Sequence, residues 1–185
     1  TSELTFTSAN WDTAQTVTVT GVDDDIIDGT QTTTLTVSVD DANSDNNFDS
    51  LNDETVSVTT TDDDVAGFTI AETGGSTSVS ESGTTDTFTV VLDVQPDSDV
   101  VLTITSSDTG EATVTSLLTF TSANWDTAQT VTVTGVDDDL IDGTQSTTMT
   151  IAVVDNSSDD SFDSLNDETV SVTTTDDDVA GFTIA

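Results

Sequence analysis

Along most of the chain a hydroxyl residue alternates with an aliphatic one, as in Thr130-Val131-Thr132-Val133-Thr134, Thr148-Met149-Thr150-Ile151 and Thr169-Val170-Ser171-Val172-Thr173. A period of two with β-branched residues on both faces predicts strands, aliphatics inward and threonines outward. Further strands are predicted at Phe68–Ala71, Thr77–Ser80, Asp86–Leu92, Val100–Thr105, Ala112–Thr115 and Leu118–Thr121. No segment sustains a 3.6-residue period. Seven or more short strands within about 110 residues point to an all-β protein, an antiparallel immunoglobulin-like sandwich. Trp11 and Trp125, each after Ser-Ala-Asn, are expected to anchor loops by burial rather than to stack on a ligand.

The pattern repeats. Leu4–Asp25 recurs unchanged as Leu118–Asp139, and Phe48–Ala71 recurs unchanged as Phe162–Ala185, both at an offset of 114 residues. Between these blocks the copies drift, as at Asp40-Asp41-Ala42-Asn43 against Val154-Asp155-Asn156-Ser157, which suits a variable loop. A period of this size fits tandem sandwiches and exceeds any solenoid rung. Residues 1–64 are expected to be the later part of one repeat, 65–178 a complete repeat, and 179–185 the first strand of another. This phase predicts a window on a longer repetitive chain, or strands supplied by a neighbouring chain.

Charge changes the picture. The formal net charge is -37, from 37 carboxylates with no lysine, arginine or histidine. Like charges a few ångströms apart repel unless solvent, salt or a bound cation intervenes, so polyvalent cations are the expected partners. A disordered acidic tail would lack the β-branched alternation. The absence of cysteine and histidine excludes disulfides, thiolate metal sites and the usual zinc chemistry, and the absence of lysine excludes Lys–Asn isopeptide cross-links. Nucleic acid and anionic membranes are disfavoured as partners because both require basic residues, and no apolar run is long enough to span a bilayer.

The carboxylates are grouped. The loop after TVTVTG carries Asp137, Asp138, Asp139 and Asp142, with counterparts Asp23, Asp24, Asp25 and Asp28. The last strand ends in Asp176, Asp177 and Asp178, with counterparts Asp62, Asp63 and Asp64; Glu72, Glu81 and Asp108 are scattered earlier in the repeat. A single such run reads as a solvated turn. Two runs per copy, in loops that can share one end of a sandwich, can converge with Glu81 and Asp108 into one group of oxygen ligands. Hard oxygen ligands without nitrogen or sulfur select Ca²⁺.

These motifs resemble the Calx-β domains of sodium-calcium exchangers, integrin β4 and large bacterial surface proteins. The resemblance rests on the LTF strand, on the acidic loop Asp137–Asp142, and on the closing V-x-V-x-x-x-DDD-x-AG-F over Val170–Ala185. It implies a Calx-β-like sandwich with Ca²⁺ clustered at one end, held by Glu81, Asp108, Asp137, Asp138, Asp139, Asp142, Asp176, Asp177 and Asp178. After Asp142 this chain departs from the pattern, with Gly143-Thr144-Gln145 in place of further acids.

The expected function is therefore structural: a repeat of an extracellular fibre or adhesin stalk at the cell surface, rigidified by Ca²⁺ at the domain ends. Its expected partners are neighbouring copies in cis or identical chains in a filament. The alternative is an adhesive module that binds a glycan, mineral or ice surface through its threonines, although a twisted sandwich does not give the flat array that ice requires. Catalysis by paired carboxylates needs one acid raised in a cleft beside aromatics, and no such pattern is present, so an enzyme is not expected.

Overall fold

The computed structural model describes residues 3–184. Thr1 and Ser2 of the first copy, and Ala185 at the end of the expected next strand, lie outside the described residues. Among the described residues eleven strands form: β1 (Gln31–Val37), β2 (Glu54–Thr60), β3 (Phe68–Glu72), β4 (Thr77–Ser80), β5 (Thr85–Leu92) and β6 (Val100–Ser106). They are followed by β7 (Ala112–Val114), β8 (Leu117–Phe120), β9 (Gln129–Gly135), β10 (Gln145–Val153) and β11 (Glu168–Thr175). Each predicted segment lies within or within one residue of a strand. Val179–Ile184 form none, and Val179, Phe182 and Ile184 are each more than 80 % exposed.

The chain divides into two compact units, one of Thr1–Asp24 with Thr32–Thr60 and one of Asp25–Gln31 with Thr61–Ala185. The second contains the sandwich. One sheet has the order β4-β11-β10-β6-β8 and the other β3-β5-β9-β7. Their inward side chains meet in a single core that includes Phe88, Leu102, Ile104, Phe120, Val131, Met149, Ile151 and Val172, all 0–1 % exposed. The burial alternates along each strand as the period of two requires. Pairing is antiparallel throughout the sandwich except for β4 and β11, which run parallel with Val172 opposite Thr77 and Thr175 opposite Ser80. That exception sets two strand ends side by side, and the acidic cluster grows from them.

Gly135 closes β9 under a steric constraint. A Cβ at this position would stand 2.1 Å from the backbone oxygen of Ser80, so the tight approach of β9 to the end of β4 admits only glycine. The equivalent Gly21 is under no such constraint, since a Cβ there would meet only the Thr60 methyl, at an ordinary contact distance of 3.6 Å.

The first unit holds the β1–β2 pair, and none of its described residues is buried. Identical sequence thus meets two environments. Phe6, Val17, Val19 and Phe48 are 53 %, 47 %, 48 % and 55 % exposed, whereas their counterparts Phe120, Val131, Val133 and Phe162 are each 0 % exposed. Trp125 packs against the core and its carbonyl accepts the Leu92 N–H at 3.1 Å, while Trp11 is 72 % exposed. Local pattern alone does not make the strand: Leu4–Phe6 and Thr16–Thr20, identical in sequence to parts of β8 and β9, form none, and strand pairing and burial both come with the facing sheet. Phe120→Ala should lower unfolding free energy by about 3–5 kcal/mol in urea titrations, and Phe6→Ala by less than about 0.5 kcal/mol. Residues 1–64 alone should melt without cooperativity. Equal effects of the two substitutions, or a sharp melt of that fragment, would contradict this account.

Candidate metal centre

The centre is built by carrying strand alternation past the strand ends. Along β4 the inward positions are Thr77 and Val79, and the next in phase is Glu81; these three are 2 %, 3 % and 1 % exposed. Along β11 they are Val170, Val172 and Thr174, and the next are Asp176 and Asp178, both half-buried. The parallel pairing keeps the two rows adjacent, and the Glu81 N–H donates to the Thr175 carbonyl at 3.1 Å. As a result Glu81, Asp176 and Asp178 each bring one carboxylate oxygen within 4.8 Å of the others.

Glu81 is the anomaly of the fold. Both its oxygens are buried and neither has a hydrogen-bond partner; Asp178 Oδ2 and Glu111 Oε2 share that condition. Burial raises the Glu81 pKa above its ordinary value of 4.5, and the charges of Asp176, Asp138 and Asp142 raise it further. The Asp177 N–H, which faces Glu81 without making a hydrogen bond, offsets only part of this. Asp178 is raised by burial and then by Asp176, Asp139, Asp177 and Asp137. Glu111 is raised by burial and then by Asp142, Asp108, Asp138 and Asp176. The acidic loop, the terminal aspartates, Asp108 and Glu111 therefore act on one another at a single end of the sandwich.

Local hydrogen bonds hold this end in shape. Gly143, with φ +77°, donates its N–H to Asp176 Oδ2 at 2.8 Å and thereby ties the acidic loop to the terminal run. Asp176 Oδ1 accepts the Asp178 N–H at 2.7 Å, Asp138 Oδ1 accepts the Leu140 N–H at 2.6 Å, and Asp108 Oδ1 accepts the Gly110 N–H at 2.9 Å. Asp137, Asp139, Asp142 and Asp177 are exposed. The first copy repeats the tie: Gly29, φ +68°, donates to Asp62 Oδ2 at 2.6 Å, and Asp62 Oδ1 accepts the Asp64 N–H at 2.8 Å. Asp23, Asp24, Asp25, Asp28 and Asp63 are exposed and Asp64 half-buried; the first copy has no counterpart of Glu81 or Asp108 within the sequence.

Glu72 stands apart, at the end of β3, where it accepts the Thr77 hydroxyl at 2.8 Å and is not among the charges that raise Glu81. Glu111 was missed from sequence. Its signal was position alone: it lies three residues after Asp108 and immediately before β7, at the mouth of the same end. At the opposite end Asp159 is 6 % exposed yet fully engaged. Burial there raises its pKa, but N–H donors from Ser161, Ser98 and Asp97, with the Ser161 hydroxyl, outweigh it and hold Asp159 below the usual range. The contrast with Glu81 is chemical: donors surround one carboxylate and carboxylates the other.

Neither a protein-family profile nor a curated sequence matches the chain. Solved structures do. Domains 4 and 5 of the S-layer protein SbsC share 27 % identity over 66 % of this chain and 52 % of theirs, with a TM-score of 0.40. The E. coli chaperone DraB gives 11 % identity over 63 % of this chain and 59 % of its own, TM-score 0.43. The apo form of the Calx CBD1 domain gives 15 % over 60 % of this chain and 98 % of its own, TM-score 0.39. The chain spans little more than half of the SbsC fragment and of DraB.

The three carboxyls with raised pKa values at this end, Glu81, Glu111 and Asp178, reverse the ordinary acid behaviour, and Asp163, raised by burial and then by Asp155, Asp160 and Asp159, acts in the same sense. The folded state binds their protons more readily than the unfolded state, so their destabilisation is full above the raised values and vanishes below the ordinary 4.5 of glutamate and 3.8 of aspartate. In chelator the melting temperature should therefore rise as pH is lowered from neutral towards 4.5, and Glu81→Gln should flatten that rise. Asp159 acts in the opposite sense, contributing stability that is lost only below its ordinary 3.8. A chelated protein whose melting temperature falls steadily over the same window would contradict the arrangement.

Proposed function

We propose that the chain is a structural repeat of an extracellular fibre or adhesin stalk, stiffened by Ca²⁺ held at the end of the sandwich. One observation carries the reading. Glu81 is buried with two unpartnered oxygens beside Asp176 and Asp178, in a chain with no basic residue to pair with any of them. A buried carboxylate left without donors is costly, and here the available remedies are a proton or a metal ion. The donor set is oxygen only, which suits calcium. Glu81, Asp176 and Asp178 would hold an ion, and Asp138, Asp139, Asp142, Asp108 and Glu111 add negative charge around this end. Bound calcium supplies the positive charge that lets the three remain ionised together.

Calcium also suits the place. Extracellular modules bind it with dissociation constants of about 0.1–1 mM, so a millimolar environment fills such a site and the cytosol does not. The terminal run Asp176–Asp178 leads into the Val179-Ala180-Gly181-Phe182 segment that in the preceding copy, as Val65-Ala66-Gly67-Phe68, enters β3. A cation on that run acts where one repeat passes to the next, and fixes a junction that a free linker would leave loose. Near-identical copies suit length rather than recognition.

Chelation should lower the melting temperature, and calcium should restore it better than sodium at equal ionic strength. Linkage gives roughly 2.7 kcal/mol per site at a hundredfold excess over the dissociation constant. Small-angle scattering should show a more extended, less variable chain in calcium than in chelator, with Asp176→Asn, Asp177→Asn and Asp178→Asn together reproducing the chelated form. Recovery by sodium equal to that by calcium would mean simple screening, and identical scattering in all three states would remove the stiffening role.

A further inference from the structure

The acidic loop carries two bulky apolar residues that the carboxylates do not explain. In the second copy these are Leu140 and Ile141, and they stand 62 % and 60 % exposed within a run of aspartates. Their counterparts Ile26 and Ile27 are half-buried. The segment Asp25–Gln31 belongs to the same compact unit as the sandwich and is seated on one of its faces. Ile26 bridges Gln95 in parallel register, the Gln95 N–H donates to the Asp25 carbonyl at 2.8 Å, and Ile27 packs against the core. Gln95, Pro96, Ser161, Phe162 and Leu165 line the seat.

The two loops have one shape. Gly29 and Gly143 take φ +68° and +77°, Gly29 donates to Asp62 as Gly143 donates to Asp176, and the Gln31 and Gln145 side chains donate to the carbonyls of Asp28 and Asp142 at 2.7 and 3.1 Å. The sequences DDDIIDG and DDDLIDG differ by a single Ile-to-Leu exchange. The turn that carries Leu140–Ile141 is thus already closed as in the first copy; at the hook itself the seated copy adds a bond from the Asp28 N–H to the Ile26 carbonyl at 2.9 Å that Asp142 and Leu140 do not make.

We infer that Leu140 and Ile141 form a preformed apolar hook whose partner is a second copy of this repeat, received on that copy's face around Gln95, Pro96, Ser161, Phe162 and Leu165. The occupant follows from the chain itself, which seats an almost identical hook on that face. The inference rests on the tandem-repeat reading but not on calcium: Asp97 and Asp159 also line the seat, yet the hook is held there by the packing of Ile27 and by the backbone contacts of Asp25 and Ile26 with Gln95. The same loop then has two jobs: its aspartates face the ion cluster and its apolar pair grips the neighbour.

The test uses the 185-residue chain and the same chain extended in phase by a second copy of residues 72–185. With no native cysteine, Ile141→Cys reports accessibility to a maleimide without background. Labelling should be fast in the 185-residue chain and at least about tenfold slower in the extended one, where the accessible state becomes a minor, locally opened form. Ile27→Cys should already be slow in the shorter chain. Hydrogen exchange at Leu140–Ile141 in the unsubstituted chains reads the same difference without relying on a variant. Slowing in both calcium and chelator, or in calcium alone, supports the hook; equal rates in the two chains under both conditions overturn it. Failure here leaves the calcium reading to its own melting experiments.

Discussion

Every charged side chain in this protein is an acid, so no two side chains can form an ion pair and each carboxylate must find water, a neutral hydrogen-bond donor or a cation. Coulombic repulsion between neighbours a few ångströms apart amounts to several kcal/mol at the effective dielectric of a protein surface. The fold answers this differently at its two ends. Around Asp159 three backbone N–H groups converge on one carboxylate and stabilise its charge. Around Glu81 the chain does the reverse, adding Asp176 and Asp178 to a carboxylate that burial already penalises. That arrangement is unfavourable for the bare protein, and the proposed cation would relieve it.

The sandwich supplies the rigidity that such a site needs. Glu81 and Asp176 are continuations of inward rows whose earlier members, Val79 and Val172, are locked in the core at 3 % and 0 % exposure. Gly135 lets β9 close against the end of β4, and Gly143 turns the acidic loop so that its N–H meets Asp176. The cluster is therefore positioned by strands, with loops adding further carboxylates and shape. In the first copy Gly29 and Asp62 make the same tie, so this local device is encoded by the motif itself.

Much of this was legible in the residue pattern. Period-two alternation located the nine strands of the sandwich to within a residue or two at most ends, because each buries one face and exposes the other. The convergence of the DDD runs was legible in outline, since both follow strands that end on the same side. What the pattern could not reveal was pairing. Nothing in Thr77–Ser80 announces a parallel partner in β11, yet that partnership is what brings Glu81 to Asp176. Glu111 was overlooked for a related reason: it stands alone, outside any run, and its membership depends on where β7 begins. Burial was equally hidden, as Phe6 and Phe120 have the same neighbours in sequence and opposite surroundings in space. Glu72, grouped with the acids by composition, is engaged by Thr77 instead.

The central claim is that the end of the sandwich around Glu81 is a cation site, and diffraction from crystals grown with and without calcium tests it most directly. With calcium, the account predicts density for an ion coordinated by carboxylate oxygens of Glu81, Asp176 and Asp178 at about 2.3–2.6 Å. Replacing calcium by a lanthanide should give an anomalous peak at the same position. The result that would contradict it is a calcium-grown crystal in which Glu81 is hydrogen-bonded as a protonated acid to Asp176 or Asp178, with no ion between them.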